Sequence, residues 1–386
     1  MKSILRAHSR ALFSDKGALL VLLVAPILYA FFYPLPYKAE QMYDLPFGVI
    51  DFDRSASSRD LVRLWESNPQ LQIQTFVDSG DAMQAMAEGS IIGWAAIPEG
   101  WQRSLYHMED AVLQIGTSGV NVLASSQLLT ALQSSTQEFN QRVKVERLSA
   151  LGLSANTIAT AGQPVILSSV PMFNPSQGYG SYIVPAVLVM IIQQSLWIGQ
   201  ALVLGRRAEQ GPLWQNWLEV AVDWLFFSLI ALWNCLFAFL WILNWQGYPA
   251  IGQWLPLLAF SGLFSASIAA FGLLLSSFYS YREQGMQWLL ALAVPLFFIS
   301  GYPLPVEALP DLVQQVRWLI PSTAGIAGFM AINQMGAGFG SLSEPFMWLG
   351  ILTVLSLLCI NVRLVWSKKL DDSNCSVSDP AQTKSH

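Results

Sequence analysis

Charged residues are scarce in this chain of 386 residues. Asp, Glu, Lys and Arg together make up 12% of it, against about 25% in an ordinary soluble domain. The 20 Lys and Arg are outnumbered by 25 Asp and Glu, and no basic block is long enough to follow a row of phosphates. Nucleic-acid binding therefore has little support. The hydrophobic share of 53% instead indicates a membrane protein.

The residues that most often hold metals, cofactors or ATP are equally few. Cys235 and Cys359 lie in apolar runs and Cys375 lies in a polar tail, so the three cysteines form neither a CxxC metal motif nor a disulfide framework. The three histidines are scattered along the chain. No lysine follows a glycine, which excludes the phosphate-binding GxxxxGK(S/T) loop. We expect no catalytic, cofactor-binding or metal-binding residue in this chain, and any ATP that it uses must be bound by another protein.

Long uncharged stretches dominate the rest of the sequence. A helix needs roughly 20 apolar residues to cross about 30 Å of hydrocarbon, and six stretches come within a few residues of this length. The predicted spans are residues 17–37, 182–204, 223–244, 254–278, 285–302 and 345–362. The sequence thus predicts an α-helical polytopic membrane protein with six transmembrane helices.

The first span has two interpretations. Basic residues precede its apolar core, as they do in a secretory signal peptide. The small-x-small cleavage pattern is missing, however, because Tyr37 stands two residues before Ala39. We therefore interpret residues 17–37 as a retained membrane anchor.

Basic residues are distributed unevenly among the loops. Lys and Arg in short loops mark the cytoplasmic side of a membrane protein. They occur before the first span and after the second, fourth and sixth: Lys2, Arg6, Arg10, Lys16, Arg206, Arg207, Arg282, Arg363, Lys368 and Lys369. Residues 245–253 have none, and residues 302–345 have only Arg317. We expect both termini to lie in the cytoplasm.

A polar segment of about 140 residues, 38–177, separates the first two spans. Short apolar runs such as FGVIDF (47–52) and LQIQTFV (71–77) alternate there with helical patterns such as SSRDLVRLWESN (57–68), which is typical of an α/β domain. A longer helical pattern covers residues 122–151. The predicted orientation of the spans places this mixed α/β domain outside the cytoplasm. We recognise no nucleophile, base and orienting residue in it, and interpret its acids as surface residues.

Four segments of the chain are informative when they are taken together and in order. They are RALFSDKGALLVLLVAPILYAFF, FGVIDFDRSASSRDLVRLWESNPQLQI, NPSQGYGSYIVPAVLVMIIQQSLWIGQALVLGRRAEQG and PLFFISGYPLPVEALPDLVQQVRWLIPSTAGIAGF. This order resembles the permease subunits of bacterial type-2 class ABC exporters with a large first external loop. The resemblance covers nearly the whole chain. It implies an inner-membrane subunit that is not itself an enzyme, with ATP and Mg²⁺ bound by a separate ATPase.

Two cytoplasmic segments are candidates for contact with that ATPase. Residues 1–16 predict an amphipathic surface helix. The loop 205–217 matches the family's Glu-(Lys/Arg)-Glu-x-Gly-Thr pattern only in part, because Glu209 and Gly211 are present while the other positions differ. The resemblance implies coupling through Arg6, Arg10, Arg206, Arg207, Glu209, Gln210 and Gly211. The alternatives are a basic end that only sets topology and a loop that only connects two spans.

Three residues share one face of the second span: Gln193, Trp197 and Gln200, at i, i+4 and i+7. Amide side chains do not suit lipid, so the stripe faces protein or a cavity. It either contacts substrate or holds helices together, at about 0.6–2 kcal/mol per hydrogen bond. The resemblance places the translocation path between subunits, beside the second and fifth spans. Our path candidates are Gln193, Trp197, Gln200, Phe297 and Phe298.

Two acids, Glu219 and Asp223, lie four residues apart near the start of the third span. We expect both at the cytoplasmic end of that span, where water reaches them. A proton relay would need acids deeper in the membrane. We therefore interpret them as anchors at the membrane interface.

Residues 303–344 predict an external hairpin. Pro303, Pro305 and Pro310 interrupt the helix, and an amphipathic pattern and an uncharged segment rich in small residues follow. The resemblance implies that this hairpin dips into the outer leaflet and gates the path. Beyond the sixth span we expect a disordered cytoplasmic tail, residues 367–386.

The sequence therefore predicts the permease subunit of an ATP-driven exporter that moves an amphipathic or hydrophobic molecule, such as a drug or a lipid. Its expected partners are cytoplasmic ABC ATPase subunits and a second permease copy or paralogue. The resemblance also allows a periplasmic adaptor and an outer-membrane channel. The main alternative is a non-transporting receptor or assembly scaffold whose external domain binds a partner. An intramembrane enzyme is disfavoured, since no paired His, Ser and acid occur at membrane depth.

Overall fold

A computed structural model describes residues 15–37, 42–107, 111–118, 122–150, 178–248, 252–304 and 306–377. The chain divides into two compact units. Residues 39–170 form a domain that contains a β-sheet, while residues 1–38 and 171–386 form a helical bundle. The domain is thus inserted in the sequence after the first helix of the bundle.

The first described helix of the bundle is α1, which consists of Lys16–Leu19, a π-helical turn at Leu20–Val24, and Ala25–Phe32. Asp15 is its N-cap. The Asp15 carboxylate accepts hydrogen bonds from the backbone N–H groups of Gly17 (3.0 Å) and Ala18 (3.1 Å), which no residue earlier in the helix can bind. The polar residue before the apolar run therefore determines where the helix starts.

The described residues of the inserted domain form four strands and four helices. They are β1 (Leu45–Asp51), α2 (Ala56–Glu66), β2 (Leu71–Phe76), α3 (Ser79–Ala87), β3 (Gly93–Ile97), α4 (Trp101–Tyr106), β4 (Gln114–Thr117) and α5 (Val122–Ala150). The strand order is β2-β1-β3-β4, in which β1 pairs in parallel with β2 and β3, and β4 is antiparallel to β3. The domain thus has the mixed α/β structure predicted from the alternating runs.

The sheet of this domain is covered on both faces. Phe47 and Val49 of β1 are buried in one cluster with Trp65 of α2 and Leu128 of α5. Ile50 points to the other face and packs in a cluster that includes residues of α3. The period of two along β1 places its apolar residues on both faces, which explains why the run is continuously apolar rather than alternating.

Seven further helices belong to the described part of the bundle. They are α6 (Tyr179–Ala208), α7 (Trp217–Leu236, a π-helical segment Phe237–Ile242 and Leu243–Gln246), α8 (Trp254–Ser276), α9 (Arg282–Ile299), α10 (Asp311–Val316), α11 (Pro321–Asn333) and α12 (Ser343–Val377). Among the described residues, five helices are long and apolar enough to cross a membrane. They include α1, α6, α7, α8 and α12. The chain is therefore a polytopic membrane protein.

The predicted fifth span is shorter and more polar than the other spans. It corresponds to α9, which has 18 residues and begins with Arg282 and Glu283. These two charges and the neighbouring glutamines lower its mean hydropathy, so α9 is not among the five helices that are long and apolar enough to cross a membrane. A sixth membrane crossing stays a prediction.

Aromatic rings fill the middle of the bundle. Phe239 stacks on Phe329 with ring centroids 4.1 Å apart, and Phe260 and Phe264 meet Phe329 edge-on at 5.1 and 5.5 Å. Gly328 on α11 makes this contact possible, because a Cβ at that position would overlap the ring of Phe260. Of the five apolar helices, α6 is the most enclosed. In its most apolar stretch of 18 residues 72% is buried, against 28% in the corresponding stretches of α1 and α12.

The segments around the predicted hairpin and tail have distinct environments. Leu312 of α10 is 70% exposed, as expected for a helix whose apolar face contacts lipid. Helix α11 is almost entirely buried by other helices. Helix α12 continues to Val377, so residues 367–377 differ from the predicted disordered tail. Residues 378–386 lie outside the described part of the chain.

Candidate translocation path and coupling end

Helix α6 carries polar side chains on two neighbouring faces, of which the first is the predicted stripe. Each residue of the stripe donates one hydrogen bond to another helix: Gln193 Nε2 to Ser322 Oγ (3.2 Å), Trp197 Nε1 to the carbonyl of Ile268 (2.9 Å), and Gln200 Nε2 to the carbonyl of Ala269 (3.1 Å). All three residues are at most 2% exposed. The stripe thus holds α6 against α8 and α11 inside one subunit. Any contact of the stripe with substrate stays a prediction.

Gln194 lies one residue further along α6, on the face that meets α9. It shares this face with Ile198 and Ala201 at i+4 and i+7, and a Cβ on Gly285 of α9 would come within 2.7 Å of Ala201 Cβ. Gln194 is only 8% exposed, yet neither its amide nitrogen nor its carbonyl oxygen has a hydrogen-bond partner among the described residues. Leaving a buried polar group unpaired costs about 1–3 kcal/mol. Gln194 is therefore a polar side chain whose partner must come from elsewhere.

Contacts at both ends fix α6 and α9 in an antiparallel arrangement. At one end a Cβ on Gly205 would lie 2.7 Å from Arg282 Cα. At the other end the rings of Tyr182 and Tyr302 stack with centroids 4.5 Å apart, and each hydroxyl donates to the backbone carbonyl of the other residue. At 1.5 Å per residue, Gln194 is about 17 Å along α6 from each contact. It therefore lies near the middle of the interface between the two helices.

Charged groups from three helices meet at the Gly205 end of α6. Arg206 and Arg282 approach Asp15 Oδ2, with nitrogen–oxygen distances of 3.8 and 3.6 Å. The backbone N–H of Arg282 also donates to Glu209 Oε1 (3.2 Å). This cluster joins the start of α1 and the start of α9 to the end of α6. A displacement of the loop after α6 would therefore act on both helices.

A second ion pair at this end is buried. Arg207 Nη1 lies 2.7 Å from Asp223 Oδ2, and the Trp214 indole N–H donates to the same oxygen (2.8 Å). Asp223 is fully buried. The prediction that water reaches Asp223 is therefore wrong, because the side chains of Arg207 and Trp214 fold over it. Glu219 is half-buried and accepts from the backbone N–H of Gln215 (2.9 Å) at the start of α7.

The remaining predicted residues do not gather at either place. Gln210 and Gly211 are exposed in the loop after α6. On α9, Phe297 is half-buried and Phe298 is 44% exposed on the surface of a single subunit. Pro303 is half-buried and Pro310 is exposed. The other three predictions, Arg6, Arg10 and Pro305, lie outside the described residues.

Three residues of this arrangement were not among the sequence predictions: Gln194, Asp15 and Arg282. Gln194 is adjacent to Gln193, but its own face of α6 carries mainly apolar and small residues, so helical periodicity does not single it out. Asp15 precedes the first apolar run, and Arg282 is a lone basic residue in a predicted loop. Their pairing depends on the fold, because 267 positions of sequence separate them.

Apolar helices that enclose polar side chains define the chain as a polytopic membrane protein. Sequence comparison gives the family. Residues 16–360 match the model of the ABC-2 family transporter protein. This match spans most of the chain, so the chain belongs to the ABC-2 family of transporter proteins. The family resemblance inferred from the sequence is confirmed.

Two proteins of Escherichia coli (strain K12) are similar to this chain. The probable multidrug ABC transporter permease YbhR is 29% identical over 162 residues, which cover 39% of this chain and 42% of YbhR. The probable multidrug ABC transporter permease YbhS is 21% identical over 328 residues, which cover 82% of this chain and 83% of YbhS. The chain thus aligns with less than half of YbhR but with most of YbhS. Both relatives are named as permeases.

Proposed function

We propose that this chain is the permease subunit of an ATP-driven exporter, and that it moves an amphipathic or hydrophobic molecule out of the cytoplasm or the inner leaflet. Membership of the ABC-2 family supports the transport role. The names of YbhR and YbhS support a drug-like substrate class. The main observation behind the proposal is the buried and unpaired amide of Gln194.

Gln194 has the properties expected of a path residue. Its amide is uncharged, so it can bind many amphipathic molecules or hydrate their route without holding a counter-ion. It lies between α6 and α9, which correspond to the second and fifth spans, and the family resemblance places the path beside these two spans, between subunits. Because both amide atoms are unpaired and buried, a hydrogen-bonding guest or water that reaches them relieves a cost that the subunit alone cannot avoid. In this proposal Gln194 is the substrate-facing residue, and Gln193, Trp197 and Gln200 hold its helix in position.

The ion-paired end is proposed as the coupling end. ATP and Mg²⁺ are bound by separate cytoplasmic ATPase subunits, whose contact with the loop 205–217 pushes on Glu209 and Arg206. These residues are bonded to Arg282 and Asp15, at the starts of α9 and α1. Motion of the loop therefore changes the angle between α6 and α9, which are the helices that flank Gln194. A bistable helix pair of this kind can expose Gln194 to one side and then to the other.

The remaining parts of the proposal follow from the distribution of basic residues and from the family. The chain lies in the inner membrane with both termini in the cytoplasm, and the α/β domain lies in the periplasm. A second permease, identical or related, completes the path. A periplasmic adaptor and an outer-membrane channel are further candidate partners. Residues 303–344, with Pro303, Pro305 and Pro310, form the external gate.

Two neighbouring glutamines allow a matched test. Gln194→Leu removes an unpaired amide at nearly constant volume, so the thermal stability of the purified permease should stay the same or rise. ATP-dependent export of an amphipathic dye, Hoechst 33342, should fall several-fold or change relative to other dyes. Gln193→Leu should do the reverse, because it removes the bond to Ser322: stability should fall, while export per folded complex is kept.

The results of these experiments distinguish the possible roles of Gln194 and of the chain. Unchanged export and unchanged dye preference in Gln194→Leu would contradict the path role of Gln194. Loss of permease pairing in that variant would mean that the amide binds the second subunit instead. Purification of the native complex without any ATPase would favour the receptor or scaffold over the exporter.

A further inference from the structure

A crevice of about 500 Å³ opens in the α/β domain, at the carboxyl ends of β1 and β2. Its volume falls in the range of roughly 300–1,000 Å³ that is usual for small-molecule sites. In open α/β sheets, ligands bind beyond the carboxyl ends of the parallel strands, at the point where the strand order reverses. In the order β2-β1-β3 this point lies beside β1, which is one of the two strands that line the crevice. The lining residues are Val49, Asp51, Arg54, Arg59, Val62, Arg63, Glu66, Thr75, Phe76 and Val77. Size and position therefore both suit a bound ligand.

One wall of the crevice is a single face of helix α2. Arg59, Val62, Arg63 and Glu66 recur at i, i+3, i+4 and i+7, so they point in the same direction. The other wall comes from the ends of the two strands, and is largely apolar. The ring of Phe76 packs on the other face of the sheet with Ile50, while Val77 is 77% exposed at the mouth. The crevice thus combines arginines on one side with exposed apolar surface on the other.

The arginines of this crevice are only partly neutralised. Asp51 is already occupied, because its Oδ1 accepts from the backbone N–H of Arg54 (2.9 Å) and its Oδ2 accepts from Ser58 Oγ (2.7 Å). Arg63 pairs with Asp60, outside the crevice. Of the residues that the structure describes, none forms an ion pair with Arg54 or Arg59.

Arg54 is held in an unusual backbone conformation. Its φ is +48°, in the left-handed region that residues with a Cβ seldom adopt. Asp51 binds its N–H, and Arg59 Nη1 donates to its carbonyl (2.7 Å). The loop therefore holds two guanidinium-bearing residues side by side at the mouth, at a position where glycine or asparagine would be easier to accommodate. Backbone strain of this kind is concentrated at functional sites.

We propose that this crevice binds a small amphipathic anion, that is, a carboxylate or phosphate group carried on an apolar body. The guanidinium groups of Arg54 and Arg59 bind the anionic group, for which their planar donor geometry is suited. The apolar body packs against Val62 and Val77. Glu66, at the far end of the α2 face, repels a second anionic group, so the ligand carries its charge at one end. This site is independent of the path and of the coupling end.

Phenylphosphate is a suitable probe, because it joins one phosphate to one small apolar ring and stays in water. Its binding to the full-length chain in an uncharged detergent can be followed by broadening of its ³¹P resonance. We expect saturable binding at least tenfold tighter than that of inorganic phosphate or benzyl alcohol, which each carry half of the chemistry. Raising the ionic strength should weaken it. 3-Phenylpropionate, tested in competition, shows whether a carboxylate is accepted as well.

Matched variants assign the binding to the crevice. The double variant Arg54→Gln/Arg59→Gln should bind phenylphosphate at least tenfold more weakly. Arg142→Gln should bind normally, because Arg142 is also an exposed arginine but lies on α5, outside the crevice. If the double variant fails to fold, Val77→Glu provides the test instead. It adds a negative charge that repels the ligand at an exposed lining residue, so binding of phenylphosphate should weaken. Val145→Glu, on the exposed surface of α5, is its control.

Three results would overturn the proposal. The first is the absence of saturable binding of phenylphosphate. The second is binding of inorganic phosphate or benzyl alcohol as tight as that of phenylphosphate, because the site would then recognise a charge or an apolar surface alone. The third is equal binding by the crevice variants and their controls, which would place the ligand elsewhere on the protein.

Discussion

The side-chain amide of Asn234 donates a hydrogen bond of 2.9 Å to the backbone carbonyl of Leu22, and thereby joins α7 to α1. Pro26, four residues after Leu22, has no N–H to offer that carbonyl. The helix near this point contains a π-helical turn, as helices often do beside an interruption of their hydrogen bonding. Asn234 is 4% exposed, so its bond lies inside the protein. The polar residue of one span thus compensates for the proline of another.

We expect Asn234→Leu to destabilise the folded bundle. The substitution removes the donor from a buried carbonyl, which costs about 1–3 kcal/mol in water-soluble proteins and on the order of 0.6–1.7 kcal/mol in measured membrane cases. Thermal unfolding of the purified protein in detergent measures the loss. Asn244→Leu is the control, because Asn244 is exposed and donates only to Leu240 in its own helix. Equal melting temperatures of the two variants would contradict this prediction.

Two adjacent arginines are expected to differ strongly in their contribution to stability. Arg207→Gln leaves the buried carboxylate of Asp223 without its cation, a change that typically costs about 3–5 kcal/mol. Arg206→Gln loses a 3.8 Å contact from a half-exposed side chain, for which about 0–1 kcal/mol is usual. The denaturation midpoints of the two variants provide the comparison. A similar loss in both would show that Asp223 is hydrated in the folded protein.

A pair of glycines on α8 tests the packing against the stripe. A Cβ on Gly272 would overlap Gln200 and crowd Trp197 of α6, whereas a Cβ on Gly262 would meet nothing within 4 Å. Gly272→Ala should therefore lower stability by about 1–3 kcal/mol through overpacking. Gly262→Ala should be neutral or slightly stabilising, since alanine favours the helix. Unfolding of the two variants side by side distinguishes a close α6–α8 contact from a loose one.

Glu209 is expected to affect coupling more than assembly. The Glu209 carboxylate accepts a hydrogen bond from the backbone N–H of Arg282. Glu209→Lys replaces this acceptor with a cation beside Arg282. Substrate-stimulated ATP hydrolysis by the purified complex should fall several-fold, with less effect in Glu209→Gln, which keeps an acceptor oxygen. Glu283→Lys is a suitable control, because Glu283 is an exposed acid at the same end of α9. Normal hydrolysis in Glu209→Lys would reduce this loop to a connector.

The side of the membrane on which the α/β domain lies can be tested by labelling. Ser134 is exposed on α5, so a cysteine in its place should be accessible. In a background with Ser at positions 359 and 375, Ser134→Cys should react with an impermeant thiol reagent added to spheroplasts. A chain that keeps Cys375 as its single cysteine should be protected until the cells are lysed. The opposite pattern would reverse the proposed orientation.

Much of the fold could be predicted from local patterns. The apolar runs predicted the membrane helices, because a membrane span must satisfy its backbone hydrogen bonds within one helix of sufficient length. The predicted bounds lie within several residues of the observed ones except in α12, which extends 15 residues beyond the predicted end of the sixth span. In the α/β domain the alternation of short apolar runs and helical periods corresponds to strands β1–β4 and helices α2, α3 and α5. The weakest case was the fifth span, where charge at the start of α9 shortens the apolar part.

The functional residues were predicted less well, and adjacent glutamines show why. Helical periodicity correctly grouped Gln193, Trp197 and Gln200 on one face. Periodicity does not say which neighbouring helix each face contacts. In the structure the stripe binds α8 and α11, whereas the amide of Gln194, on the face toward α9, has no partner among the described residues. Gln193 and Gln194 are neighbours that point about 100° apart around the helix. The amide of Gln193 therefore joins two helices, while the amide of Gln194 is the candidate for the path.

The sequence by itself determined that this protein is a polytopic membrane protein with an inserted α/β domain, because hydropathy and periodicity act over stretches of 5 to 30 neighbouring residues. Only the tertiary structure decided which polar groups are satisfied. Asp223 is buried by Arg207 and Trp214, and Leu22 finds its donor 212 residues away. Such pairings depend on helix rotation and on the small residues that permit close contact, and these are properties of the packed bundle rather than of any one segment.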